Sequence, residues 1–245
     1  MQQAIRFSDW IAAKFLEQGS RIWKLPRRIM WGMYAMPFVV ALSGVVGALL
    51  GKEAYKWFTE EDGFCEDGQV VFWFLTLCMS VAMARRLWLD GERFIAGLPV
   101  GRCFCVFFLM GEEISWGQHI IGWQTPSDYA ALNKLAGTNV HNIYDVGRTF
   151  KWVYLMVAAY GAVTPLAIWR SAFLRKYRSR LSLVIPHYTL VPYFLLPMVW
   201  KVYANLVDPP KSLYFVVEKY SEVMELVLAM AFFLFMVFQL RTRRK

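Results

Sequence analysis

The chain has 245 residues, of which 58% are hydrophobic, 17% aromatic and only 18% charged. Those proportions exclude an ordinary soluble domain and suit a chain that crosses a bilayer several times. The net charge of +9 does not point to nucleic acid, because the basic residues sit between and beside apolar stretches, where membrane orientation accounts for them.

Residues 4–24 read as an amphipathic helix. Phe7, Ile11 and Phe15 recur four apart beside Trp10, while Arg6, Asp9, Lys14 and Glu17 lie elsewhere. Such a helix lies in the membrane interface or packs on the inner face of its own protein. Its charges interrupt the apolar core that a secretory signal needs. Spans are then expected near 30–51, 69–88, 97–121, 151–170, 181–204 and 218–240, each close to the roughly 20 apolar residues that a bilayer core asks of a helix.

Within the first span Ser43, Gly47 and Gly51 recur four apart, a spacing that lets helices approach closely. Pro186, Pro192 and Pro197 are expected to bend the fifth span. His187 reads as a packing residue toward its inner side, and Lys201 is expected to snorkel outward. Cys78, Cys103 and Cys105 fall in spans and Cys65 in a loop, with no CxxC pair, so neither a disulfide framework nor a zinc–thiolate site follows.

The charges fix an orientation. With the N-terminus inside, the inner segments carry 19 of the 27 Lys and Arg residues, and the first outer loop carries Glu53, Glu60, Glu61, Asp62, Glu66 and Asp67. This is a positive-inside pattern with both termini cytoplasmic. The expected fold is all-α and integral to the membrane. It is one domain of six transmembrane helices, with a cytoplasmic interfacial helix over residues 1–28 and a short external lid helix. The localisation that goes with it is a bacterial inner membrane. Residues 122–150 form the external loop, in which Thr125-Pro126-Ser127-Asp128, then Tyr129, Leu132 and Leu135, then Gly137, punctuate the lid.

The chemistry concentrates in Gly111-Glu112-Glu113-Ile114-Ser115-Trp116-Gly117-Gln118-His119. Ionisable groups in hydrocarbon are costly and mark functional sites. On a continuous helix Glu112 and His119 share a face with Ser115 between them, and Glu113 points about 100° away. Ser115 and His119 also have the spacing of a nucleophile–base pair, set against serine's common use in membrane helix packing. Asn139-Val140-His141-Asn142-Ile143-Tyr144-Asp145 follows, where a helix would pair His141 with Asp145. Glu218, Glu222 and Glu225 line the outer half of the last span.

Glu112, His119, His141, Glu222 and Glu225 are thus candidate ligands for a divalent metal such as zinc. Glu113 is the candidate general base, and Gln118, Asn142 and Asp145 are candidate supporting residues. The spacing is not that of HExxH, no phosphate-cradling glycine loop occurs, and three histidines are too few for a histidine-rich di-iron site.

Glu112-Glu113 near a span end, with a later asparagine–histidine segment, resembles the membrane endopeptidases that process CAAX proteins and bacteriocins, whose site uses an EExxxR motif and later histidines. The resemblance implies roles for Glu112, Glu113 and His141; Gly117 stands where that motif has arginine, and no FxxxH segment is present. The Glu-Glu-Ile-Ser-Trp-Gly-Gln string also resembles a signature of bacterial multi-pass membrane proteins without an assigned activity. The leading expectation is a metal-dependent hydrolase acting at the outer leaflet on a lipid-like or membrane-bound peptide substrate. A proton- or ion-coupled transporter and a non-catalytic membrane subunit or assembly factor remain open beside it.

Overall fold

A computed structural model describes residues 16–60, 63–133, 137–141, 143–177, 181–207 and 209–242; the side chains of His119, Tyr144, Asp145, Ala172 and Arg175 are outside the description. Most of the N-terminal amphipathic segment, and Leu135 of the expected lid helix, therefore lie outside the described residues. The main helices are α1 (Gln18–Trp23), α2 (Arg27–Leu49), α3 (Lys52–Thr59) and α4 (Phe64–Leu89), then α5 (Arg93–Glu113), α6 (Tyr144–Arg170), α7 (Val191–Leu206) and α8 (Tyr214–Thr242). Among the described residues the one sheet-like pairing is an isolated antiparallel bridge between Asn133 and Ile143.

Five stretches are long and apolar enough to cross a membrane: α2, the run from Lys52 to Leu89, α5, Val146–Arg170 of α6, and α8. The protein is therefore all-helical with several membrane-compatible helices. α8 forms the centre. Two-thirds of its apolar window (67%) is buried, against 17–28% in the other four, and it packs on α2, α4 and α7, while α4 pairs with α5 and α6 with α7. Buried tyrosine hydroxyls knit the helices by donating to main-chain carbonyls: Tyr193 to Met33, Tyr220 to Ala41 and Tyr55 to Val216, at 2.6, 2.6 and 2.7 Å. Each satisfies a group that an apolar medium would leave costly.

The segment expected as a span over 181–204 differs. The helix begins only at Val191, with proline in its first turn, where a missing N–H is tolerated. Its 16 residues reach about 24 Å, short of a hydrocarbon core of roughly 30 Å. The irregular stretch before it is buried through Pro186, His187, Tyr188, Thr189 and Leu190, as non-helical backbone at membrane depth requires. Its polar groups are met by the inner ends of other helices. Trp23 Nε1 donates to Thr189 Oγ1 at 3.0 Å, and the Gln239 amide donates to the carbonyls of Ser182 and Leu183 at 3.0 and 2.8 Å. His187 packs as the sequence suggests, 3.0 Å from Thr189 Oγ1 and stacked on Phe238.

The expected Ser43/Gly47/Gly51 stripe is replaced by Gly44 and Gly47, which are the buried glycines of α2; a methyl group on Gly44 would lie 2.8 Å from Val223 of α8. The closest approach in the bundle is between α6 and α7, where the Phe194 ring lies directly on Gly161, leaving no room for a β-carbon. Gly161→Ala should therefore destabilise by about 1–3 kcal/mol through overpacking. In detergent-based thermal unfolding, adding Phe194→Leu should recover part of the loss.

Candidate functional site

α5 was expected to run to residue 121, and it does not. It stops at Glu113, and Ser115, Trp116 and Gly117 follow with φ of 45, 55 and 87°. Three successive left-handed residues turn the chain back, at about 1–2 kcal/mol for each non-glycine. Local contacts hold the turn. The Trp116 ring packs on Gly111, whose missing side chain leaves space for it, and meets Phe107 and Phe108 edge-on. Because the helix is broken, Glu112, Ser115 and His119 do not share one helical face, and the helical spacing behind the Ser115–His119 pair is lost. The His119 side chain lies outside the described residues.

Glu112 is only 2% exposed, and its carboxylate clamps the loop between α5 and α6. Oε1 accepts from Trp116 Nε1 at 2.7 Å. Oε2 accepts from the main-chain N–H groups of Val140 and His141 at 2.7 and 2.8 Å and lies 3.2 Å from His141 Nδ1. A buried carboxylate that gathers several N–H donors is stabilised in its charged form and fixes what it binds.

The rest of the loop hangs from the same turn. Thr138 Oγ1 donates to the Ser115 carbonyl, Thr138 N donates to Gln118 Oε1 at 3.0 Å, and Asn139 Nδ2 donates to Ser115 Oγ at 3.0 Å. Asn133 Nδ2 donates to the Asn139 carbonyl at 2.7 Å. Ser115 and Gln118 thus hold the loop. The expected lid helix is a single turn, Ser127–Ala130. α6 begins at Tyr144, so His141 precedes the helix and is not one helical turn from Asp145. Asn142 and the Asp145 side chain lie outside the described residues.

Beneath this clamp lies a second layer of charge. Glu113 is 7% exposed, and the carboxylates of Glu222, Glu225, Glu66 and Glu112 all bear on it electrostatically. Glu222 and Glu225 enter from α8, two to three turns below Tyr214; Glu218 of the same stripe points instead to Lys151, 2.9 Å away in an exposed pair. Glu225 is bonded to Lys201 of α7 at 2.6 Å and to Tyr154 of α6. Gln69 of α4 donates to Glu222 Oε2 at 3.3 Å.

Lys201 does not snorkel. It is 4% exposed, with its ammonium 5.1 Å above the Tyr154 ring, because a carboxylate inside the bundle offers a better partner than the boundary. Lys201, Tyr154, Gln69 and Glu66 were absent from the expected site. A lysine and a glutamine inside otherwise apolar runs were the available signals, but only the packing shows which way they face.

Glu112, Glu222 and Glu225 each have their own N–H or O–H donors. Among the described residues no group of three His, Cys, Asp or Glu could hold a metal ion. Zinc or another divalent metal thus finds no ready cage in what is described.

His141 is the titratable group of the clamp outside the spans. Burial disfavours its imidazolium, but the hydrogen bond to Glu112 and the charges of Glu225, Glu112 and Glu222 outweigh burial and raise its pKa above the ordinary value. A raised folded-state pKa gives stability that is complete below the unfolded value of about 6.5 and is lost as pH rises through the folded one. The thermal stability of the wild type relative to His141→Gln should therefore be greatest on the acid side and shrink across that window. The Lys201–Glu225 pair gives a second expectation. Lys201→Met alone should cost about 3–5 kcal/mol by stranding a buried carboxylate, and Lys201→Met with Glu225→Gln should unfold nearer to the wild-type temperature.

Compared with protein-family models, curated proteins and solved structures, the chain finds no match in any of the three.

Proposed function

We propose that this is a proton-coupled integral membrane carrier whose proton-exchanging site is Glu113, Glu222 and Glu225 with Lys201 and Tyr154, closed on the outer side by the loop that Glu112 clamps. The observation that carries the reading is the charge balance. Glu66, Glu113, Glu222 and Glu225 lie close together with one buried lysine among them. Lys201, Lys219 and His141 act on Glu222, whereas the charges that bear most on Glu113 are carboxylates, so in a water-poor interior a proton or cation must balance its charge. The Gln69 amide on Glu222 and the Lys201 ammonium on Glu225 take up oxygens that a metal would need, which favours protons. The wider setting of this reading is six crossings, α7 and its buried lead-in completing the fifth, with both termini on the cytoplasmic side of a bacterial inner membrane. The asymmetry of Lys and Arg supports it.

A second reading keeps the metal-dependent hydrolase acting at the outer leaflet on a lipid-like or membrane-bound peptide substrate. The placement of His141 beside Glu112, within the field of Glu222 and Glu225, favours it. Glu113 would then be the general base.

Purified protein should show the infrared carbonyl stretch of a protonated carboxylic acid at neutral pH, diminished in Glu113→Gln. Proteoliposomes under an imposed potential should take up protons in a manner that Glu113→Gln abolishes and Glu218→Gln does not. Absence of the band and of Glu113-dependent uptake overturns the carrier reading. Near-stoichiometric metal by elemental analysis, lost in Glu112→Gln, would put the hydrolase in its place.

A further inference from the structure

The buried face of α4 carries Gln69, Trp73, Thr76 and Ser80, each no more than 1% exposed. Their spacing of four, three and four residues keeps them on one side of a helix. They form a polar line about 16 Å long at 1.5 Å per residue, roughly half the hydrocarbon thickness. Its outer end is the carboxylate cluster. The Gln69 amide nitrogen donates to the Glu222 main-chain carbonyl at 3.5 Å as well as to its Oε2 at 3.3 Å, which leaves Gln69 Oε1 facing elsewhere.

Among the described residues Gln69 Oε1 has no hydrogen-bond donor and Trp73 Nε1, one turn further in, has no acceptor. An unsatisfied buried polar atom costs about 1–3 kcal/mol. Two on adjacent turns, one acceptor and one donor, call for a small partner that donates to the first and accepts from the second. Thr76 and Ser80 donate back to the carbonyls of Phe72 and Thr76 at 2.7 and 2.8 Å, so their hydroxyl lone pairs remain to accept.

The inner end of the line can be placed from the packing layers around it. Trp73 packs with Val106 of α5 and Ala229 of α8, and Met83 with Ala96 and Met236. Ser80 falls between these layers, and Arg102 of α5 reaches Met236 of the second one. That guanidinium is bonded to Gln239 at 3.1 Å, to the Leu183 carbonyl at 2.8 Å and to Met236, and lies over the Phe235 ring.

We propose that a file of bound water occupies the seam between α4, α5 and α8 beside Gln69 and Trp73, where Thr76 and Ser80 continue the polar line, and hydrates the outer carboxylates from within the bundle. The inference rests on the carrier reading for its use, but the hydration itself stands on the two unsatisfied atoms. The charged and titratable groups facing it are Glu66 on α4, Glu113 on α5 and Glu222 and Glu225 on α8 at the outer end. Lys201 and Tyr154 stand behind Glu225, and His141 lies above.

X-ray radiolytic labelling tests it, because hydroxyl radicals born from bound water modify only side chains beside that water. Trp23 is the internal control: it is as buried as Trp73, but its Nε1 is satisfied by Thr189. In wild-type protein Trp73 should be oxidised several-fold faster than Trp23, and Gln69→Leu should bring Trp73 down to the Trp23 rate with Trp23 unchanged. Equal rates for the two tryptophans in the wild type overturn the proposal. Fast Trp73 labelling without any Glu113-dependent uptake keeps the water file and removes the carrier. Glu113-dependent uptake with Trp73 as slow as Trp23 keeps the carrier and removes the file.

Discussion

A carboxylate withdrawn from water must be met by donors, and the architecture around Glu112 is organised by that requirement. Its two oxygens gather the Trp116 indole, two successive main-chain amides and the His141 ring. The amides belong to the loop between α5 and α6, so satisfying one side chain docks a stretch more than twenty residues away in sequence. The same bonds stabilise the left-handed run at Ser115–Gly117, which would otherwise be costly. Clamp, turn and loop therefore stand or fall together.

The break in α5 also separates two neighbouring residues into different jobs. Were the helix continuous, Glu112 and Glu113 would differ only by a rotation about its axis. With the chain reversing just after them, Glu112 is enclosed by the returning loop, while Glu113 faces the helices below. One carboxylate is spent on structure and the other is left in a field of like charge from Glu222, Glu225 and Glu66. That division leaves a buried carboxylate cluster around Lys201 beneath the docked loop.

The inner half of the bundle obeys the same rule with other groups. α7 is too short to cross alone, and the irregular chain leading into it is tolerated because Arg102, Gln239 and Trp23 meet its carbonyls and hydroxyls. Outer and inner polar layers are thus joined by α8, which contributes Glu222 and Glu225 to one and Gln239 to the other, and by the polar face of α4 that runs between them.

By itself the sequence determined the composition of a chain with several membrane-compatible helices, the approximate position of most long helices, and the concentration of polar and charged groups in the Glu112–His119 and Glu222–Glu225 segments. Apolar run length and the rarity of intramembrane charge are local properties, readable without neighbours. Only the tertiary structure decided that α5 ends at Glu113, that Ser115 and Gln118 hold a loop, that Lys201 turns inward to Glu225, and that α7 starts at Val191. Each of these depends on a partner distant in the chain: Asn139 and Thr138 for the turn, Glu225 for the lysine, Arg102 and Gln239 for the lead-in to α7. Helical periodicity reports which residues would share a face if a helix continued. It does not report where a distant hydrogen-bond partner makes it more favourable for the helix to stop.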